Sequence, residues 1–249
     1  MKKPIPFLQQ PCGARRLSLG CRANAAGSAP DNPLPFGRLA LAIVAGFLLA
    51  AAPCVEAANK SHSADLLKGG LKQWTQQKKG AWEIKDGVLQ TSEQPGGYIW
   101  TKKQYGNFEI SVDYKTSEKC NSGLFFRTDP KNAVQGGFEI QIASAGIYSG
   151  KHVVGSLYDA KAPSAAAGRP DGEWNTMVLT CKGPKITVVL NGKKVMEADI
   201  DDWDTANQNP DGSKNKFKTA LKDLPRTGHI GLQYHGHPVW FRNIELKKL

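Results

Sequence analysis

Beyond residue 80, apolar and polar positions alternate with a period of two. In FEISVDYKT (108–116), Phe108, Ile110 and Val112 oppose Glu109, Ser111 and Asp113, the pattern of a half-buried β-strand. GYIWT (97–101), SGLFFRT (122–128), GFEIQI (137–142), EWNTMVLTCK (173–182), HIGLQYHG (229–236) and VWFRNIELKK (239–248) read the same way. Two further segments, AWEIKDGVLQTS (81–92) and KITVVLNGKKVMEA (185–198), each place a turn dipeptide, Asp86-Gly87 or Asn191-Gly192, between short β-like runs and so predict hairpins. Only 64–74 and 216–224 offer short helical patterns. So many short alternating strands predict an all-β fold, an antiparallel β-sandwich.

Applying strand parity to several segments at once sorts their residues onto two faces. With the aliphatic positions assigned to the core, the opposite face carries Arg127, Glu139, Gln141, Gln233 and His235, with Phe125 beside them and Tyr98 and Trp100 nearby. Such a set of acid, cation, amides, imidazole and aromatics suits hydrogen bonding to a polyhydroxylated ligand. A solvated face is the simpler alternative, with Glu–Arg pairs contributing only a few tenths of a kcal/mol. Asn121 and Gly123 read as shaping the entry to their strand, and Trp174 as core. Two long irregular stretches, 143–172 and 201–227, exceed the usual connection length and are expected to border a site.

The first 57 residues differ in kind. LALAIVAGFLLAAA (39–52) is a run of 14 apolar residues, short for a membrane span and suited to a secretory h-region. Six basic residues precede it, and Val55-Glu56-Ala57 offers small residues where a signal peptidase cuts. The expectation is an export leader over 1–57 and one domain over 58–249, periplasmic or extracellular, with no stable membrane span once the leader is cleaved. Of the five cysteines only Cys120 and Cys181 lie in that domain, either as one disulfide or as two thiols.

The chain carries 33 Lys and Arg against 22 Asp and Glu; outside the leader the balance is 27 to 20. The lysines, Lys214, Lys216 and Lys218 among them, are scattered and read as a solvated surface. No Arg-rich or aromatic-basic motif points to nucleic acid. G-x-S-x-G, H-E-x-x-H and nicotinamide fingerprints are missing, and no flavin is implied. His229, His235 and His237 raise a metal as an option. NQNPDG (207–212) starts like an EF-hand loop, but Lys218 stands where the bidentate Glu belongs.

Six segments, in order, carry a resemblance over about residues 64 to 249. YGNFEISVDYK (105–115), NSGLFFR (121–127), GGFEIQI (136–142), EWN (173–175), LNGKKV (190–195) and GLQYHG…VWFRNI (231–244) are similar to the pattern of the 3-keto-disaccharide hydrolase domain family. DGVLQT (86–91) matches its opening hairpin. The resemblance implies a concanavalin-like β-sandwich (jelly roll) with one concave face, in an exported bacterial enzyme that cleaves 3-keto-glycosides. A ketone at C3 acidifies the C2 hydrogen; once a base removes it, the glycosidic oxygen leaves C1, and added water completes a net hydrolysis. That chemistry needs a base, an electrophile for the enolate oxygen and an acid for the leaving group.

On the resemblance and the shared parity together, Glu139 or His235 is expected as base and Arg127 as enolate stabiliser. Gln141, Gln233, Trp100, Phe125 and Asn121 are expected as substrate contacts. A divalent cation with His235 among its ligands is the alternative electrophile. A separate dehydrogenase would have to supply the ketone. Two other functions compete: a non-catalytic, lectin-like carbohydrate-binding domain, and a two-carboxylate glycosidase with Glu109 or Asp113 as the second acid.

Overall fold

In the computed structural model, residues 63–92 and 95–249 are described. The expected leader lies outside them. The described residues form two antiparallel sheets, with strands numbered here in chain order. The larger sheet holds β1 (Ala64–Asp65), β3 (Trp82–Lys85), β4 (Val88–Thr91), β6 (Phe108–Thr116), β9 (Asn175–Lys182), β10 (Lys185–Leu190), β11 (Lys193–Asp199) and β13 (Val239–Lys248). Its order is β11-β10-β9-β6-β13-β4-β3, with β1 also on β13. The smaller sheet contains β2 (Trp74–Gln76), β5 (Tyr98–Tyr105), β7 (Asn121–Thr128), β8 (Phe138–Ala143) and β12 (Gly228–Gln233), in the order β2-β5-β12-β7-β8. The fold is the expected concanavalin-like β-sandwich.

The core follows the alternation. Phe108, Ile110, Val112 and Tyr114 of β6 face Leu124 and Phe126 of β7, Phe138, Ile140 and Ile142 of β8, and Ile230 and Leu232 of β12, all buried. Each such apolar side chain contributes about 1.5–3 kcal/mol through burial. Both hairpin signals hold. Asp86 and Gly87 have φ of 51° and 76°, Asn191 and Gly192 of 50° and 81°, the paired positive values that a twisted two-residue hairpin requires.

Neither stretch expected to be helical forms an α-helix. Residues 64–74 give β1 and a 3-10 turn at Gly70–Gln73, because Gly69 and Gly70 both adopt positive φ. In 216–224 the amides of Lys216 and Lys218 donate to the side chains of Asp159 and Gln135. A helix would direct interior donors to carbonyls of its own backbone. Only a turn at Leu221–Asp223 remains. Cys120 and Cys181 are buried as two free thiols.

One irregularity decides which residues reach the site. Between β7 and β12, Phe125 pairs with Gly231 and Thr128 with His229, so Phe126 and Arg127 stand opposite the single Ile230. Arg127 takes a φ of 49° at this bulge. An extra residue resets the side-to-side phase of a strand, and strict parity fails from that point.

Candidate functional site

The smaller sheet turns its non-core face to a cleft of about 410 Å³, lined by Tyr98, Asn121, Phe125, Val134, Glu139, Tyr148, Tyr158, Lys216, Gln233 and His235. Its floor comes from strand register. Phe125 pairs with Glu139, Gly123 with Gln141 and Asn121 with Ala143, so these side chains share one face. Gly123 is a structural requirement rather than a turn former. A Cβ there would lie 2.2 Å from Glu139 Oε1, so the missing side chain makes room for the carboxylate. Gly231 similarly admits the flat ring of Trp100, whose Cε3 would sit 2.3 Å from a Cβ.

Tyr98 packs on Trp100 and edge-on to Phe125, each at 5.1 Å between ring centroids. Trp100 is buried and does not line the cleft, so it supports the floor instead of touching a ligand. Gln233 lines the cleft and donates from Nε2 to the Tyr98 hydroxyl at 3.2 Å. Gln141 is fully buried, below the surface a sugar could reach.

Glu139 is 8 % exposed, and burial pushes its carboxyl up to about 7 although the nearby Lys216 ammonium pulls the other way. The Nζ of Lys216 lies 3.9 Å from Glu139 Oε2 and 4.2 Å from the centre of the Tyr158 ring. Burial holds this lysine below its ordinary value, opposed by the charges of Glu139 and Asp159. The cation arrives on the long 201–227 loop, which is fixed from outside. Asp159 Oδ2 accepts from the Lys216 amide at 2.6 Å. Gln135 donates to the Lys216 carbonyl and accepts from the Lys218 amide, both at 2.9 Å. The 143–172 loop is fastened to β8 in turn, with the Tyr158 amide donating to the Glu139 carbonyl at 2.9 Å.

The structure moves Arg127 out of the proposed chemistry. The bulge turns it off the cleft face, and it is fully buried. Its Nε donates to Gly106 O at 2.9 Å, Nη1 to Gly183 O at 2.8 Å and Nη2 to Asn107 Oδ1 at 3.4 Å. It fastens the β5–β6 turn to the β9–β10 turn. Lys216, read from sequence as one of many surface lysines, is the cation that stands beside Glu139. The length of its loop was the only signal; nothing in local sequence distinguishes it from Lys214 or Lys218. Tyr158, Tyr148 and Val134 were missed in the same way, since they too come from loops.

His235 lines the cleft at Asn121, whose Nδ2 lies 3.2 Å from the ring Nδ1. His229 does not join it, because its Nδ1 donates to Thr101 O and its Nε2 accepts from Gln104 Nε2. Among the described residues no three His, Cys, Asp or Glu side chains cluster as a metal site. Glu109 and Asp113 belong to the other sheet, where they bond Thr180 and Thr176. Trp174 is half-buried, not core, and lies under the Arg242 guanidinium at 4.0 Å. A second concavity of about 440 Å³, between Tyr114 and the 143–169 segment, is lined by no carboxylate, imidazole or lysine.

The cleft face of the smaller sheet thus pairs a buried carboxylate with an ammonium, beside an imidazole and amides. The chain is a member of the 3-keto-alpha-glucoside-1,2-lyase-like domain family, whose pattern matches residues 64–247. It is 27 % identical over 207 residues to the 3-keto-disaccharide hydrolase of Bacteroides thetaiotaomicron, covering 68 % of this chain and 70 % of that protein. A candidate glycosyl hydrolase from Parabacteroides distasonis of known structure is 35 % identical and superposes with a TM-score of 0.71, over 75 % of this chain and 99 % of the other. A second one from that organism, at 23 % identity and a TM-score of 0.62, shares the fold.

Proposed function

We propose that this protein cleaves the glycosidic bond of 3-keto-glycosides by elimination followed by hydration. The observation that carries the reading is the buried pair in the cleft, Glu139 with a carboxyl held near 7 and Lys216 at 3.9 Å. A general base is most effective when it titrates near the working pH. Glu139 takes the C2 proton, and the electron pair moves toward the C3 oxygen as an enolate. The Lys216 ammonium faces that developing charge in a water-poor setting, where a preoriented cation is most effective. The enolate then expels the C1 oxygen, which takes a proton from His235. Water adding at C1 of the resulting enone returns a 3-keto-sugar, so the sum is hydrolysis. Tyr98, Asn121 and Gln233 supply hydrogen bonds for the sugar hydroxyls, and Phe125 an apolar floor.

A two-carboxylate mechanism is less well supported, because Glu139 is the only carboxylate among the described residues that line the cleft. The apolar run at 39–52 and its basic flank favour an exported location. The ketone would come from a separate dehydrogenase.

The test is aglycone release from a glucoside and from its 3-keto derivative. Release from the ketone alone is expected, and it should fall about a hundredfold or more in E139Q. Release from the plain glucoside would support conventional glycosidase chemistry, and binding without release a lectin-like role.

A further inference from the structure

Three side chains run in line from beneath the floor to the cleft. Gln141 Nε2 donates to Asn121 Oδ1 at 3.2 Å, and Asn121 Nδ2 approaches His235 Nδ1 at 3.2 Å. The direction follows the Gln141 side-chain amide, whose Nε2 faces Asn121 Oδ1 while its Oε1 is buried with no partner among the described residues. Gln141 is fully buried, and its backbone is fixed on both sides, its amide donating to Ser156 O at 3.0 Å and its carbonyl accepting from the Gly155 amide at 2.9 Å. With the Gln141 amide nitrogen toward Asn121, the Asn121 oxygen must accept and its nitrogen is left to donate. A donor facing Nδ1 requires that nitrogen to be the acceptor, so a neutral His235 ring carries its proton on Nε2. Nε2 has no protein partner among the described residues, and His235 lines the cleft.

We propose that Asn121, oriented by Gln141, is a positioning residue that fixes His235 in the Nε2–H tautomer and so presents a proton donor to the cleft. This reassigns Gln141 and Asn121. Sequence reading makes both of them sugar contacts, whereas the line of hydrogen bonds makes Gln141 part of the support and gives Asn121 a second task. The inference rests on the elimination reading for its chemical purpose, because a leaving oxygen needs a donor that survives above the pH at which histidine loses its charge. The titratable groups sharing the cleft with His235 are Glu139, Lys216, Tyr98, Tyr148 and Tyr158. His237 follows two residues later on an exposed turn.

The experiment is two-bond 1H–15N spectroscopy of the full protein with labelled histidine, at a pH where the ring is neutral, His235 being assigned through H235N. Wild type is expected to show the proton on Nε2. N121D, nearly isosteric, puts an acceptor opposite Nδ1 and is expected to move the proton there; N121A is expected to give a mixture. On a 3-keto-glucoside, the wild-type rate should rise with pH as the Glu139 base ionises and hold on the alkaline side. N121D should lose kcat by about a hundredfold over the same range, far more than any rise in KM from its sugar contact. A wild-type proton on Nδ1, or a tautomer unaltered in both variants, overturns the proposal. If wild type turns over no 3-keto-glycoside, the elimination reading falls instead, and the tautomer result stands by itself.

Discussion

Replacing Glu139 by glutamine tests the electrostatics of the cleft without any substrate. An ordinary glutamate titrates near 4.5, whereas burial holds Glu139 at about 7. At about 1.4 kcal/mol per tenfold change in proton affinity, that difference corresponds to about 3 kcal/mol. Below pH 4.5 the carboxyl is neutral in folded and unfolded chains alike and imposes no penalty. From there to about 7 the unfolded chain ionises while the fold retains the proton, so rising pH favours unfolding. Above 7 both forms are ionised and the whole penalty is present. Glutamine keeps the shape and never ionises. Urea unfolding of both proteins at pH 4, 6 and 8 should therefore show E139Q gaining relative to wild type as pH rises, by up to about 3 kcal/mol at pH 8. The pull of the Lys216 ammonium is already contained in the value of about 7. Contributions of groups remote from the cleft cancel in the difference. Parallel stability curves across this range would refute the claim that burial sets the behaviour of Glu139. In the same variant the rate on a 3-keto-glucoside should fall about a hundredfold or more, and the wild-type rate should rise with pH through an inflection near 7.

K216Q should lower the rate about a hundredfold or more and move the Glu139 inflection to higher pH, because the lysine charge is what pulls it down; a pH–rate profile checks both effects. R127M removes the three hydrogen bonds by which a buried side chain joins the β5–β6 and β9–β10 turns and should cost about 3 kcal/mol in urea unfolding, while kcat of the folded fraction stays unchanged. Gly123→Ala places a Cβ 2.2 Å from the present Glu139 Oε1; it should displace the carboxylate and cut activity far more than stability, which rate measurements and thermal melts on one sample separate.

Most of the sandwich was legible because period-two alternation and Asn-Gly or Asp-Gly turns act locally. Glu139, Phe125 and Gln233 were placed correctly for that reason, their strands keeping phase through those positions. Arg127 was misplaced by one inserted residue, which exchanges the two faces of a strand and is invisible until the partner strand is known. Trp100 was given the correct face, but its depth depends on how Tyr98 and Phe125 cover it. Lys216 was beyond reach of parity altogether, since its position comes from Asp159 and Gln135, 57 and 81 residues away in the chain. Gly123 was read as shaping the entry to its strand because an isolated glycine in a strand says nothing of which neighbouring side chain occupies the space.

The way Lys216 is held has an evolutionary consequence. The ladders that set Glu139, Phe125 and Gln233 in place do not depend on the loop that brings the ammonium, and the loop hangs on the side chains of Gln135 and Asp159. On the proposed elimination, base and electrophile can therefore be inherited separately. A change confined to residues 201–227 could leave a sandwich with its sugar-binding floor intact but no counter-charge for an enolate, converting a catalyst into a receptor. The reverse exchange would turn a receptor of this shape into a catalyst without altering a single strand.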